Sequence, residues 1–399
     1  MVDFSLTEDQ TMMRDMAREF ARDEIRPLAE RYYQHGKDVP REELEKLSAK
    51  ANALRLLDFY MPEEYGGLGI TDHVLHVMIA EELAWGDAGV AVDLMASGLC
   101  AAGIYHMATD EQKKKYISRF CNPENREIAP RRACFCLTEP NAGSAVSQMS
   151  TTATPRDGGW VLNGTKQFIT NGGLSELYLV VAQTNPAANA PMEKALGLAG
   201  FLVEAGTKGL SVGKEYEKWG VRASNTTEVV LQDVWIPKEN KLGSDDPGGM
   251  MKVYSTLETT RIGVGACAVG IARAAFEAAL KFSKERVQKK PIIEFQAISH
   301  KLADMEVKIQ AARLLVLKAA WMAGANAAMN RGEGSQAKLY AGDIAVEVCT
   351  EAVQIHGGYG FVKEYPVGRW LNDAVIFKIW EGTAEIQRNT IARYLRDLS

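Results

Sequence analysis

Leu302-Ala-Asp-Met305-Glu-Val-Lys-Ile309-Gln-Ala-Ala312-Arg-Leu-Leu-Val316-Leu-Lys-Ala319 carries apolar residues at alternating steps of three and four. That spacing lines one face of a helix and predicts a long amphipathic element suited to a bundle. An Ala-rich stretch from about 252 to 285 predicts a second helix beside it. Upstream, from about 129 to 242, the period changes. Cys134-Phe-Cys-Leu137, Trp160-Val-Leu162, Tyr178-Leu-Val-Val-Ala182, Phe201-Leu-Val203 and Val229-Val-Leu231 read as strands, with Asn163-Gly164 as a hairpin turn. Before them, residues 1–128 have helical spacing, as in Leu44, Leu47, Ala51 and Leu54. Met61-Pro-Glu-Glu-Tyr-Gly-Gly-Leu-Gly69 interrupts this segment as a shaped loop. The chain is therefore α+β in three parts: a helical domain over 1–128, a β domain over 129–242 and a helical domain over 243–399. Pro and Gly collect at both junctions, Pro123 to Pro130 and Gly243 to Gly249.

At 399 residues and 46% hydrophobic content, the chain can bury a substantial core, as expected of a soluble globular protein. The first twenty residues mix Asp3, Glu8 and Asp15 with Leu6, Met12, Met16 and Phe20, which suits an amphipathic helix better than a secretion signal or transit peptide. No apolar run approaches membrane-spanning length, so no membrane partner is expected. A net charge of −5 argues against generic nucleic-acid binding and leaves any phosphate-bearing ligand to local groups. The six cysteines are scattered, with only Cys134 and Cys136 close together, so reduced thiols in a cytoplasm are expected. His73 and His76 share a helical face without a third ligand of suitable spacing, and no metal site is expected. Gly263-Val-Gly265-Ala-Cys-Ala268 imitates a dinucleotide fingerprint, but Ser255-Thr-Leu-Glu-Thr-Thr260 before it is no buried strand.

Near the C-terminus, Ile379-Trp-Glu-Gly-Thr383 sets a lone carboxylate, Glu381, among apolar residues. Low dielectric raises a carboxylate's pKa and suits it to take a weakly acidic C–H proton. Gly382 would let a ligand approach the backbone. The same residues also read as an exposed acid opening a C-terminal helix.

Five separated motifs then decide between these readings. They are Pro62-Glu-Glu-Tyr-Gly-Gly-Leu-Gly69, Leu137-Thr-Glu-Pro-Asn-Ala-Gly-Ser144, Phe168-Ile-Thr-Asn-Gly-Gly173, Gln354-Ile-His-Gly-Gly-Tyr-Gly-Phe361 with Arg369 and Asp373, and Trp380-Glu-Gly-Thr383. In this order they resemble the motifs of the flavin-dependent acyl-CoA dehydrogenases, across essentially the whole chain. The resemblance implies an N-terminal helical domain, a β-barrel-like middle domain and a C-terminal four-helix bundle, with FAD as cofactor and an acyl-CoA as substrate. By the same resemblance Phe135, Leu137, Thr138, Gly143, Ser144, Phe168 and Thr170 meet the flavin, Phe168 standing where many relatives have Trp. Gln354, Gly357 and Gly358 would receive FAD from a neighbouring subunit of a homotetramer, and Arg286 would meet its pyrophosphate. Gln296, Thr383 and Glu385 complete the implied cofactor set, while Ser144, Glu258, Arg261, Gly382 and Arg393 are implied for the substrate. Ordinary turn chemistry remains the alternative for the Thr and Ser residues, a helix salt bridge for Glu258 and Arg261, and a solvated helix end for Arg286. Two departures stand out: Arg286-Val-Gln-Lys-Lys-Pro291 is about one residue shorter than usual and lacks a Phe-Gly pair, and Ala145 replaces the usual Asp.

Family resemblance places the catalytic carboxylate either in the Trp-Glu-Gly-Thr segment or just before the arginine of the long helix. Here Thr260 precedes Arg261, so Glu381 is the expected base for the α-proton, as hydride leaves the β-carbon for flavin N5. Its backbone N–H would hydrogen-bond the thioester oxygen. An electron-transfer flavoprotein is the implied electron acceptor.

Gly89-Val-Ala-Val-Asp-Leu-Met95 resembles the helix closing the far end of the acyl pocket, where most relatives are neutral. A facing carboxylate at Asp93 would bind a polar acyl group or act as a second catalytic base on a ring. With Trp85 and Met95 nearby in sequence, this suggests a short or alicyclic acyl-CoA, such as cyclohexane- or cyclohexene-carboxyl-CoA. The alternative is that Asp93 caps a helix or pairs with a basic neighbour. An acyl-CoA oxidase, or a flavin-binding scaffold without catalysis, are the competing functions.

Overall fold

The computed structural model describes residues 5–121, 126–188, 190–243 and 249–396; parts of both expected junctions, 122–125 and 244–248, lie outside the described residues. The chain begins with α1 (Glu8–Phe20), α2 (Arg26–Tyr33), α3 (Arg41–Ala53), α4 (His73–Gly86) and α5 (Ala88–Met95). α6 (Ser97–Met107), α7 (Asp110–Tyr116) and α8 (Ser118–Cys121) follow. Local side chains start these helices by satisfying N-terminal N–H groups. Thr7 and Gln10 form a capping box on α1, Asp72 accepts from Val74 and Leu75 at α4, and Asp87 accepts from Val90 at α5.

The middle segment folds as β1 (Ala133–Cys136), β2 (Thr152–Arg156), β3 (Gly159–Thr170), β4 (Leu177–Gln183), α9 (Pro191–Leu196), β5 (Leu198–Glu204), β6 (Leu210–Val212) and β7 (Thr226–Pro237). The strands form one seven-stranded sheet in the order β1-β4-β2-β3-β7-β6, with β5 on β4. The expected hairpin at Asn163-Gly164 is corrected. These residues lie inside β3, at a register shift between Leu162 and Gly164 against β7. The β2–β3 turn is Asp157-Gly158, with φ of 50° and 72° between the paired residues Arg156 and Gly159. Both central residues therefore have the positive φ that lets a two-residue turn follow the strand twist. Gly164 is required for a different reason: a Cβ there would meet Thr151 Oγ1 at 2.3 Å.

The last segment comprises α10 (Gly249–Glu285), a small hairpin of β8 (Val287–Gln288) and β9 (Lys290–Pro291), α11 (Gln296–Gly324), α12 (Glu333–His356), α13 (Val367–Val375) and α14 (Ala384–Arg396). Leu302, Met305, Ile309, Ala312, Val316 and Ala319 are all buried along α11, as their spacing predicts. α10 packs between α12, α4 and α11. One apolar core accordingly runs from α1–α5 into α10–α13, and a second joins α6–α8 to β1, β4 and β5. The expectation about apolar runs also needs correction, because the helical stretches Ala88–Met107 and Thr260–Glu285 are long and apolar enough to cross a membrane by length and composition. Of their most apolar windows, 56% and 67% is buried inside the fold, so the apolarity serves helix packing here.

Candidate active site

Glu381 lies in a two-residue turn between α13 and α14. Phe377, 1% exposed, anchors the approach, and Trp380 packs edge-on against it at 5.5 Å. Glu381 and Gly382 then take φ of 48° and 96°, reversing the chain into α14. The left-handed region is unfavourable for a glutamate, so the surroundings must hold it. Arg261 Nε donates to the Glu381 carbonyl at 3.1 Å, and Gln387 Nε2 donates to the carbonyls of Glu381 at 3.2 Å and Gly382 at 2.9 Å. Thr383 accepts from the Ile386 N–H and caps α14. The Thr260 hydroxyl donates to Glu381 Oε2 at 2.8 Å. Burial pushes the Glu381 carboxyl above its ordinary pKa, against the opposing pull of the Thr260 hydrogen bond and the Arg261 and Lys338 charges. The result is a partly enclosed carboxylate with enhanced basicity.

A second cluster is built by the sheet. Glu139, after β1, accepts from Ser150 N–H, Ser150 Oγ and Thr151 N–H and pairs with Lys166 of β3 at 2.8 Å, with both side chains essentially unexposed. The Gln167 N–H donates to the Thr138 carbonyl at 2.8 Å, closing the β1 end onto β3. Immediately beyond, the β3–β7 register shifts between Lys166 and Ile169, and Phe168 sits there at φ 57°. Such an irregularity re-aims a side chain. Phe168 is 60% exposed, its ring 5.2 Å from that of Tyr216. Phe135, Leu137, Thr138, Phe168 and Thr170 thus share the β1–β3 end of the sheet, with exposed Gly143 and Ser144 on the adjoining loop.

A third group surrounds a cavity of about 520 Å³ lined by Phe282, Arg286, Gln288, His356, Gly357 and Gly358, among others. The Arg286 guanidinium lies 5.5 Å from the Tyr359 ring centroid. The shortened run after Arg286 forms the β8–β9 hairpin, with Lys289 alone at its tip at φ 67°. Gln354 and Gln296 are exposed, on the last turn of α12 and the first of α11. Glu385 is exposed at the start of α14. Glu258 accepts from Tyr394 Oη at 3.3 Å, and the exposed Arg393 lies over the same ring, so these two residues share a neighbour, whereas Arg261 turns inward to the Glu381 turn.

Asp93 is a correction. Its side chain is wholly unexposed, and both carboxylate oxygens accept from Arg41 at 2.7 Å. Arg132 donates to its Oδ2 at 3.1 Å and to its carbonyl at 2.9 Å. With its lone pairs committed to two guanidiniums, Asp93 is a tie between α5, α3 and the start of β1 and no second base. Sequence reasoning also passed over Lys338, Gln387 and the Glu139–Lys166 pair. Glu139 was in view inside its motif, but no local signal marks a buried lysine as its partner.

These groups fit a flavin cofactor. An exposed ring, hydroxyls at strand ends and open backbone suit a flat, polar-edged ring system. The cavity offers a guanidinium beside Gly357 and Gly358, whose Cβ positions meet nothing within 4 Å, which suits a phosphate-bearing portion. Comparison with known proteins agrees. The N-terminal, middle and C-terminal domain models of acyl-CoA dehydrogenase match residues 7–124, 134–234 and 248–395. A short-chain-specific acyl-CoA dehydrogenase of Megasphaera elsdenii is 41% identical over 399 residues, covering 97% of each chain. The structure of butyryl-CoA dehydrogenase from Megasphaera elsdenii aligns with a TM-score of 0.90 at 40% identity, over 99% of this chain and 100% of that one. PigA, solved with FAD and proline, aligns with a TM-score of 0.89 at 28% identity, over 99% of each chain. The chain belongs to the acyl-CoA dehydrogenase family and is a flavoprotein oxidoreductase of CH–CH bonds with FAD as its cofactor.

Proposed function

We propose that this enzyme dehydrogenates a short-chain acyl-CoA at the α,β bond, with Glu381 as the base. The observation that carries this reading is the Glu381 carboxylate, raised in basicity by burial and held at Oε2 by Thr260. Oε1 is left to receive the α-proton. FAD, when bound, supplies the acceptor for the β-hydride. The backbone N–H of Glu381 serves the thioester oxygen, and the carbonyl contacts of Arg261 and Gln387 hold the turn that presents it. Phe168, Thr138 and Thr170 line the flavin side, and Arg286, Gly357 and Gly358 the phosphate-bearing side of the FAD held by a neighbouring subunit.

The short-chain assignment is supported by the two Megasphaera elsdenii relatives, named short-chain specific and butyryl-CoA dehydrogenase. An alicyclic substrate loses its support, because its motive was an Asp93 facing the ligand and Asp93 is held by Arg41 and Arg132. A homotetramer is favoured by exposed apolar side chains at Val307, Leu314 and Trp321 of α11 and Phe361 after α12. A cytoplasmic location is favoured by six free, buried thiols, and an electron-transfer flavoprotein by the family's chemistry. The test is anaerobic mixing of the FAD-loaded enzyme with butyryl-, isobutyryl- and cyclohexanecarboxyl-CoA. Butyryl-CoA should bleach the flavin fastest; a faster ring substrate would overturn the short-chain assignment, and a silent spectrum throughout would indicate a scaffold. Slow reoxidation of the reduced enzyme by oxygen distinguishes the dehydrogenase from an oxidase.

A further inference from the structure

Lys338 of α12 is 1% exposed, and its ammonium donates to the Gly382 carbonyl at 2.7 Å. Lysine is almost never fully buried without a partner, because desolvating the charge is costly. Here the partner is a carbonyl in the strained turn that carries the base. Glu381 and Gly382 are consecutive left-handed residues, and their two carbonyls together accept from Arg261, Gln387 and Lys338. Gln387 is itself fully buried, and a Cβ on Gly382 would meet its Nε2 at 2.6 Å, so the turn has no room to slide toward α14. Strain of this kind persists only where the surroundings over-determine it.

We propose that Lys338 is a positioning residue for the base: its buried ammonium pins the Gly382 carbonyl and thereby fixes the Glu381 carboxylate against Thr260. The proposal rests on Glu381 as the base. It adds an electrostatic consequence, since the cation favours the ionised carboxylate and offsets part of the effect of burial. The charges facing Lys338 are Glu381 on the turn, Arg261 on α10, Asp343 on α12 and Glu385 on α14, with Asp343 itself paired to Lys378 and Arg388. Around Glu381 they are Arg261 and Lys338, with the neutral Thr260 hydroxyl hydrogen-bonded to it and the Cys267 thiol also in range. Burial pushes Lys338 down to about 8, so it remains largely cationic at neutral pH.

Two readouts test this in Lys338→Met, and in Lys338→Gln should the Met variant not fold. The first is hydrogen exchange of the peptide spanning 376–388, which needs no substrate. Release of the carbonyl should speed exchange about tenfold or more in that peptide alone. The second is anaerobic flavin reduction by butyryl-CoA across pH. The rate should fall about 10–100-fold, as expected for a misplaced reacting group, and its acid limb should move to higher pH. Lys338→Arg, which keeps charge and donors, should recover part of both. Unchanged exchange together with an unshifted acid limb overturns the proposal, as does a loss of thermal stability with wild-type rates in the folded protein. Failure of the wild type itself to bleach instead overturns the functional reading, while exchange still judges the clamp.

Discussion

At the residue scale, Glu381 depends on a few named contacts. Glu381→Gln keeps the shape of the side chain and removes the proposed base, so flavin reduction should drop about 10²–10⁴-fold in stopped-flow measurements. The pH dependence has a fixed sign. A base works only when ionised, and burial raises the Glu381 pKa, so with Glu381 in the proposed role activity should be lost on acidification at a pH above the ordinary carboxylate range. Thr260→Val removes a hydrogen bond that favours the ionised form. The acid limb of the pH–rate profile should therefore move further up, and an unmoved limb would show that the Thr260 contact does not tune the base. The carboxylate among apolar residues was legible in the pentapeptide, whereas the left-handed turn and the donors to its carbonyls, from α10, α12 and α14, leave no local signature.

At the element scale, two buried ion pairs tie strands and helices into the site's frame. Asp93 joins α5 to α3 and the start of β1 through Arg41 and Arg132. Asp93→Asn leaves guanidiniums undercompensated and should destabilise the protein by about 3 kcal/mol in denaturant melts. Flavin reduction per folded enzyme should stay within about 3-fold of wild type, since Asp93 is a structural tie, whereas loss of a base would cost about 10²–10⁴-fold. In the sheet, burial pulls Glu139 and Lys166 toward their neutral forms, but the facing ammonium and the Thr151 and Ser150 hydrogen bonds hold Glu139 down to about 2. We assign a charged pair on that ground. A depressed carboxylate contributes stability above its unfolded pKa of about 4.3, and that contribution is lost as pH falls through about 2. Lys166→Met strands the carboxylate and should cost about 3–5 kcal/mol, with loosening at Phe168 visible as faster hydrogen exchange of β3. The strands were readable from β-branched and aromatic runs. Their turn was misplaced at Asn163-Gly164, because Asp157-Gly158 offers the same chemistry and only the pairing of β3 with β7 chooses between them.

At the scale of the whole molecule, the three segments meet at one buried charge cluster. Asp87, at the start of α5, pairs with Arg369 of α13, and Asp373 one turn on accepts from the Val221 N–H at 2.6 Å, where Val221 holds φ 44°. Burial, then the Asp87 charge, pushes Asp373 up to about 7, against the pull of Arg369, the Val221 N–H and Arg222. Because the folded pKa lies above the ordinary value of about 3.9, its stabilising contribution is complete below that value and is lost as pH rises through about 7. Asp373→Asn should therefore gain on wild type by roughly 2 °C in Tm for each pH unit crossed in that window, read by calorimetry. By itself the sequence determined the helical, β, helical order, the six core positions of α11 and the motif that contains Glu381, because periodicity and contiguous motifs are written along the chain. Only the tertiary structure decided that Asp93 faces two arginines instead of a ligand, that Lys338 reaches the Gly382 carbonyl of the Glu381 turn and that apolar stretches of membrane length form a core. Burial and charge pairing are set by partners tens to hundreds of residues away, and no local pattern records which partner a buried charge will meet.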